Sequence, residues 1–379
     1  MRYFIIAGEA SGDLHASNLM ASLKKRDSEA DFCFLGGDLM QAQGGKMVRH
    51  YRDMAFMGFI SVVRNLDKVL LNMKVCRQQL LNYRPDAVIL VDYPSFNLKM
   101  AKFVKKEMPQ IPVYYYISPK LWAWKEYRLK DMKRYVDKVY SILPFEVDYF
   151  KKHDFEVEYV GNPCVDAVET RAHKNESLDD FSARTHVKSD RPIIALLAGS
   201  RMQEIKSSLP IMLEAASKFK DYQLVVAGAP SMTEADYGSL LSGYGASVVF
   251  GETYELLQQS ELAVVTSGTA TLETALLRVP QVVVYKISGG YLFHRILEMF
   301  IHVRFVSLVN LIAGKELVKE LIIEDFTVKN VEAEIRKILT PSFREKMLSG
   351  YDDLIDLLGK EPVSDKAACS LCADLRGRG

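Results

Sequence analysis

The residues best suited to chemistry sit just after apolar runs. Asp92 ends the strand-like run that begins at Pro85 and is followed by Tyr93-Pro94-Ser95. A carboxylate at a buried strand end, against a low-dielectric wall, suits general-base work. Capping a helix that starts near Ser95 would use the same carboxylate differently. Glu9, Ser11, Asp13 and His15 follow the first apolar run, Tyr3 to Ala7, around a turn spanning Gly8 to Asp13. Glu9 and His15 are alternative proton acceptors, and Ser11 is a candidate for substrate contact. A lone His is more often structural than catalytic.

Two further turns have the chemistry of a phosphate site. Gly199-Ser200-Arg201 follows the run Ile193 to Ala198 and leads into a helix containing Glu204. The planar fork of Arg201 can bridge two phosphate groups, although a solvated Arg at a helix start would look the same. Ser267-Gly268-Thr269-Ala270-Thr271-Leu272-Glu273 follows the run Leu262 to Thr266 and opens a helical run from Thr269 to Arg278. Free N–H groups and the helix dipole point into such a turn. Gly268 permits close approach, and the Thr269 and Thr271 hydroxyls can donate to phosphate oxygens. Glu273, one turn on, suits a pair of sugar hydroxyls. An ordinary Thr-capped helix offers the same residues. Two such turns on one sheet rim imply a diphosphate. No G-x-x-x-x-G-K-[ST] or G-x-G-x-x-G motif occurs, so neither a P-loop ATPase nor a typical dinucleotide enzyme is supported.

These turns need a scaffold of alternating strands and helices, and the chain supplies one. At 379 residues two domains are expected. Strands are predicted at Tyr3–Ala7, Asp31–Leu35, Pro85–Asp92, Ile111–Ile117, Lys138–Leu143 and Val157–Val160, with a helix from about Leu14 to Lys25. A polar stretch from Arg171 to Arg191 reads as a boundary. A second series follows at Ile193–Ala198, Gln223–Ala227, Ser247–Phe250, Leu262–Thr266 and Gln281–Tyr285, then helices at Asn330–Leu339 and Ser342–Leu358 and a ragged tail. The pattern predicts an α/β protein: two Rossmann-like domains facing across a cleft, with C-terminal helices.

The composition is that of a globular protein, 49% hydrophobic and 26% charged. A net charge of +1 argues against a nucleic-acid partner. Five scattered cysteines read as reduced thiols of a cytosolic protein, and Cys369-x-x-Cys372 lacks the second pair a zinc site needs. No signal peptide is expected before Tyr3, and no apolar run reaches the ~18 residues that span a bilayer. Met54–Val63 with Lys68–Lys74, and Tyr291–Phe305, combine apolar and basic residues as a lipid interface would, and as core helices also do. Trp122 and Trp124 would line an acceptor site, anchor at an interface or pack.

Seven motifs, in order, resemble the lipid-A-disaccharide synthase family. They are Gly8-Glu9-Ala10-Ser11-Gly12-Asp13-Leu14-His15, Asp92-Tyr93-Pro94-Ser95-Phe96-Asn97, Ser118-Pro119-x-x-Trp122-Ala123-Trp124 and Leu143-Pro144-Phe145-Glu146. Gly161-Asn162-Pro163, Gly199-Ser200-Arg201-x-x-Glu204-Ile205 and Ser267–Glu273 complete the set. The resemblance implies a GT-B fold and an inverting, metal-free transfer that needs no cofactor. The donor would be UDP-2,3-diacylglucosamine, the acceptor 2,3-diacylglucosamine 1-phosphate, and the products the β-1,6 lipid A disaccharide and UDP. It implies a peripheral protein on the cytoplasmic face of the inner membrane, possible as a homo-oligomer. Residues 1–165 would form an acceptor and membrane-facing domain, 166–340 a UDP-sugar domain, and 341–379 C-terminal helices and tail. Asp92, Glu9 or His15 would be the base. Ser11, Gly199, Ser200, Arg201, Glu204, Ser267, Gly268, Thr269, Ala270, Thr271, Glu273 and Asn310 would bind substrate. The chain departs from the family pattern at Val309-Asn310 and Lys319-Glu320-Leu321-Ile322-Ile323, where Pro-Asn and Pro-Glu-Leu-x-Gln are usual. The alternative is another GT-B UDP-sugar enzyme, a UDP-N-acetylglucosamine epimerase or a muramyl-type transferase.

Overall fold

Apolar runs rich in Val, Ile and Leu become parallel strands, because a segment covered on both faces has no polar side to show to water. The computed structural model describes residues 1–54, 66–124, 128–188, 190–286 and 304–378. It divides into two units, Met1–Pro163 with Glu361–Gly379, and Cys164–Lys360.

The first unit holds β1 (Arg2–Ala7), β2 (Asp31–Gly36), β3 (Lys46–His50), β4 (Ala87–Val91), β5 (Val113–Tyr116), β6 (Lys138–Ser141) and β7 (Glu158–Tyr159). They pair in the order β3-β2-β1-β4-β5-β6-β7. The second holds β8 (Ile193–Leu197), β9 (Gln223–Gly228), β10 (Ser247–Phe250), β11 (Ser260–Thr266), β12 (Gln281–Tyr285) and β13 (Glu320–Ile322), ordered β10-β9-β8-β11-β12-β13. Each order reverses once, between β1 and β4 and between β8 and β11. At such a switch point the flanking connections leave on opposite sides and open a crevice at the strands' carboxyl ends. Glu9 and Asp92 follow one pair of strand ends; Gly199 and Ser267 follow the other.

Side-chain alternation splits the first core in two. Tyr3, Ile5 and Ala7 of β1 pack with Ala16, Leu19 and Leu23 of the Ala10–Arg26 helix. Phe4 and Ile6 face the opposite layer, with Cys76 and Leu80 of the Leu66–Tyr83 helix and Met100 and Val104 of the Pro94–Glu107 helix.

Four expectations change. The first helix begins at Ala10, not near Leu14, so Ser11, Gly12 and Asp13 form its first turn. The Arg171–Arg191 stretch contains a helix, Leu178–Thr185, and its Phe181 and Val187 are buried in the second unit's core. Residues 341–379 do not act as one piece. Helix Pro341–Leu358 stays with the second unit, where its buried Tyr351 hydroxyl accepts from Gln281 Nε2 at 3.4 Å. The expected ragged tail is a helix, Val363–Arg378, that returns to the first unit and buries Ala367, Ala368 and Leu371. There the Tyr114 hydroxyl donates to Asp374 at 2.5 Å. β3 and β13 also form, as strands at the sheet edges.

Candidate active site

In the first unit the β4 carboxyl end is bent sharply. Asp92 and Tyr93 have φ of 43° and 45°, consecutive left-handed residues that are not glycine. Several contacts hold this strain. The Asp92 carbonyl accepts from buried Asn97 Nδ2 at 2.7 Å and from the Tyr115 hydroxyl. The Tyr93 hydroxyl donates to the Met54 carbonyl at 3.0 Å. Gly8 leaves room for the Tyr93 ring, since a Cβ there would stand 2.3 Å from it. Tyr93, not Asp92, is the N-cap of the Pro94–Glu107 helix, and no side chain caps it. The capping role therefore goes unused. Burial first, then the Glu9 charge, raise the Asp92 carboxyl above its ordinary value; Lys120 and the Tyr93 backbone pull it down.

Glu9 is the N-cap residue of the Ala10–Arg26 helix, but its side chain makes no capping bond. Ser11 is exposed in the first turn. Burial pushes the His15 imidazole down to about 4, so it is neutral near pH 7. Asp13 is structural: its buried carboxylate accepts from the N–H groups of Gly37 (2.8 Å), Leu39 (3.1 Å) and Met40 (3.1 Å). A cavity of about 310 Å³ lies beside Asp92, with Lys120, Arg128 and Leu143 in its lining. Trp122 serves packing, with its Nε1 donating to the buried Glu146 carboxylate at 2.9 Å. The Trp124 side chain lies outside what is described.

In the second unit both candidate phosphate turns reach one cavity of about 220 Å³, lined by Arg201, Glu204, Thr266, Ser267, Tyr285 and Lys286 among others. Gly199 has φ of 106°, and a Cβ there would stand 2.7 Å from Glu204, so the turn demands glycine. Glu204 organises the turn, accepting from Ser200 N–H at 3.2 Å and Arg201 Nη1 at 3.4 Å. Arg201 is the N-cap residue of the Met202–Ala216 helix, but its side chain makes no capping bond and is 71% exposed.

The second turn opens the Thr269–Leu276 helix, two residues shorter than expected. Gly268 and Thr269 are exposed, and a Cβ on Gly268 would meet only open space. Ser267 donates its hydroxyl to the Val306 carbonyl at 2.8 Å, and Ala270 packs against the core beneath. Thr271 does not face a ligand: it is fully buried, with its hydroxyl donating to the Gly268 carbonyl at 2.8 Å. Glu273 accepts from the Tyr254 hydroxyl at 3.0 Å on Oε1. No other protein hydrogen bond to that carboxylate occurs among the described residues. Burial raises its carboxyl, and the Tyr254 bond lowers it.

A family model described as lipid-A-disaccharide synthetase matches residues 3–370. The chain belongs to the lipid-A-disaccharide synthase family. It is 37% identical over 377 residues to the synthase of Myxococcus xanthus, covering 98% of this chain and 96% of the relative. It is equally identical over 373 residues to that of Syntrophus aciditrophicus, covering 96% and 95%. Among solved structures, UDP-GlcNAc 2-epimerase from Neisseria meningitidis bound to UDP-GlcNAc aligns with a TM-score of 0.68 at 13% identity, over 98% of this chain and 100% of that one. The glycotransferase of kitacinnamycin aligns with 0.65 at 13%, over 99% of each. At that identity the likeness shows the fold, which is GT-B. As a lipid-A-disaccharide synthase family member, the chain is a glycosyltransferase of lipid A biosynthesis.

For this lipid-A-disaccharide synthase family chain, the block that departs from the usual motif has a structural role. Asn310 was expected to bind substrate, but it is fully buried, and its amide is occupied on both sides. Its Nδ2 donates to Val318 O and Glu320 Oε1, both at 2.9 Å; its Oδ1 accepts from Leu317 N–H at 2.8 Å and Val318 N–H at 3.1 Å. Glu320 also accepts from Val306 and Ser307 N–H, each at 2.9 Å, and so fixes the carbonyl that Ser267 bonds. Through Glu320 and the Val306 carbonyl, Asn310 supports the Ser267 turn from behind. Sequence reasoning missed Lys286, Tyr254 and Thr266. Lys286 had a findable signal: it is the polar residue directly after β12, at the same rim. Thr266 Oγ1 is buried with no hydrogen-bond partner among the described residues.

Proposed function

We propose that the chain transfers the 2,3-diacylglucosaminyl group of its UDP donor to the 6-hydroxyl of 2,3-diacylglucosamine 1-phosphate with inversion. The products are the β-1,6 disaccharide 1-phosphate and UDP. The observation that carries this reading is the Asp92 carboxyl, released from capping and raised by burial and by Glu9. Asp92 accepts the proton of the acceptor hydroxyl while that oxygen's electron pair forms the bond to the anomeric carbon. The bond from this carbon to the diphosphate oxygen breaks, and its electrons leave with UDP. Arg201, Lys286 and the N–H groups opening the Thr269–Leu276 helix meet the charge that develops on the diphosphate. Glu273 Oε2, opposite the oxygen tied to Tyr254, takes the ribose hydroxyls. Neutral His15 is a poor base at about 4 and is left a positioning role.

Because both substrates carry acyl chains, the reaction takes place at a membrane surface. No described helix is long and apolar enough to cross one. Among the described exposed apolar residues, Leu70 and Leu71, 55% and 50% exposed, form an adjacent pair on the Leu66–Tyr83 helix that suits surface contact. Met54 at the edge of the expected lipid-facing stretch is core, whereas Phe56, Phe59 and the Tyr291–Val303 stretch lie outside the described residues.

The test is UDP release with and without acceptor. Wild type is expected to need the acceptor, and Asp92→Asn to lose roughly 10²–10⁴-fold in turnover with its thermal unfolding unchanged. UDP release independent of the acceptor, or a mutant as active as wild type, would overturn the reading.

A further inference from the structure

Two cations, Lys120 and Arg128, line the cavity beside the Asp92 carboxylate. Both cations are mounted on fixed supports. Ile117, a β-branched residue at φ of 64°, turns the chain sharply at the end of β5. The next stretch is pinned on either side of Lys120. Two residues before it, the Ser118 hydroxyl donates to Glu146 Oε2 at 2.6 Å; two residues after it, Trp122 Nε1 donates to Glu146 Oε1. Ser141 also donates to this fully buried carboxylate. Glu146 therefore fixes the turn that presents Lys120 without neutralising it by contact. Lys120 itself is exposed and forms no ion pair among the described residues. Arg128 Nη2 donates to the Ser95 hydroxyl at 2.8 Å, which fastens the guanidinium to the helix that follows Asp92.

Apolar Ile117, Leu121, Ile142 and Leu143 complete the wall. At about 310 Å³ the space suits a sugar head group and not its acyl chains. A ligand matching this lining needs a compact ring, an anionic group for the two cations and a hydroxyl for Asp92. The donor's diphosphate has cations of its own in the second unit, Arg201 and Lys286.

We propose that Lys120 and Arg128 form the subsite for the phosphate of the sugar 1-phosphate acceptor, and that holding this phosphate sets the hydroxyl across the ring against Asp92. The proposal rests on the transferase reading above. Under it, the acceptor is selected by charge at the end of the sugar that does not react.

The experiment compares two acceptors, diacylglucosamine 1-phosphate and its dephosphorylated form, the latter as substrate or as competitive inhibitor. Lys120→Gln combined with Arg128→Gln is expected to raise the KM for the phosphorylated acceptor at least about tenfold, with the donor KM moving less than about twofold. Affinity for the dephosphorylated form should stay within about twofold of wild type. Lys120→Arg with Arg128→Lys, which keeps both charges, should recover most of the loss. Ser95→Ala, which removes the support and leaves the charge, should cost less than Arg128→Gln. Equal losses for both acceptors, a rise in donor KM instead, or an unchanged acceptor KM would each overturn the subsite. Wild type that releases no UDP with the phosphorylated acceptor would overturn the transferase reading itself, and the subsite with it.

Discussion

Asp92 sits between opposing charges, and that balance can be moved from either side. Glu9 raises its carboxyl and Lys120 lowers it, with burial the largest effect. As a base Asp92 must be ionised, so kcat/KM should rise with pH as it loses its proton, at a pH above the ordinary aspartate range. Glu9→Gln removes a charge that opposes ionisation and should move this acid limb to lower pH. Lys120→Gln removes one that favours it and should move the limb to higher pH. A pH–rate profile of each variant decides; shifts in the same direction would remove Asp92 as the titrating group. At this scale the sequence is legible where a polar residue follows an apolar run, as at Asp92, Gly199 and Ser267. It is silent on where a hydroxyl turns. Thr269 and Thr271 are equal candidates in one dimension, but helix geometry leaves the first exposed and turns the second inward. Tyr254 reaches Glu273 only because two successive helices bring them to one rim.

The elements that carry these residues follow from apolar runs, and both switch points fall where the candidate residues are. What the runs do not announce are the short edge strands. β3 is half-exposed and mixed in polarity, and β13 spans only Glu320–Ile322, so neither shows a buried-strand pattern. The start of the first helix was obscured by Ser11 and Gly12, which favour turns; here the buried Asp13 ties that first turn to the next strand–helix connection. The Leu66–Tyr83 helix shows both faces of the lipid question. Its Met73 is buried in the core, while Leu70 and Leu71 stand half-exposed. Leu70→Ser with Leu71→Ser should weaken flotation with anionic vesicles by roughly tenfold or less, given about 25 cal/mol per Å² of apolar area removed from lipid contact. Turnover of detergent-dispersed substrate should be unchanged. Equal vesicle binding by variant and wild type would place the contact elsewhere.

At the scale of the whole chain, the Val363–Arg378 helix was the hardest part to foresee. Its apolar positions are small and dispersed among charges, and its partners, Tyr3, Tyr114 and Tyr140, lie hundreds of residues earlier. Leu371 is fully buried in that core. Leu371→Ala should therefore destabilise the first unit by about 2–5 kcal/mol, a loss of burial plus a cavity. Hydrogen exchange should report faster opening in β1, β4 and β5 and none in β8 or β11; acceleration in the second unit alone would contradict the assignment of this helix.

The chain leaves the first unit at Pro163 and re-enters it at Glu361. On a ribosome, every residue of the second unit is therefore made before the helix that covers β1 and β4 exists. Domains generally mature in the order of their synthesis. Here the first unit is begun first, but its last helix is made last. The nascent first sheet must wait with Tyr3, Ile5 and Tyr114 short of their cover while the later-encoded unit completes itself, and the interval is when a chaperone has most to hold.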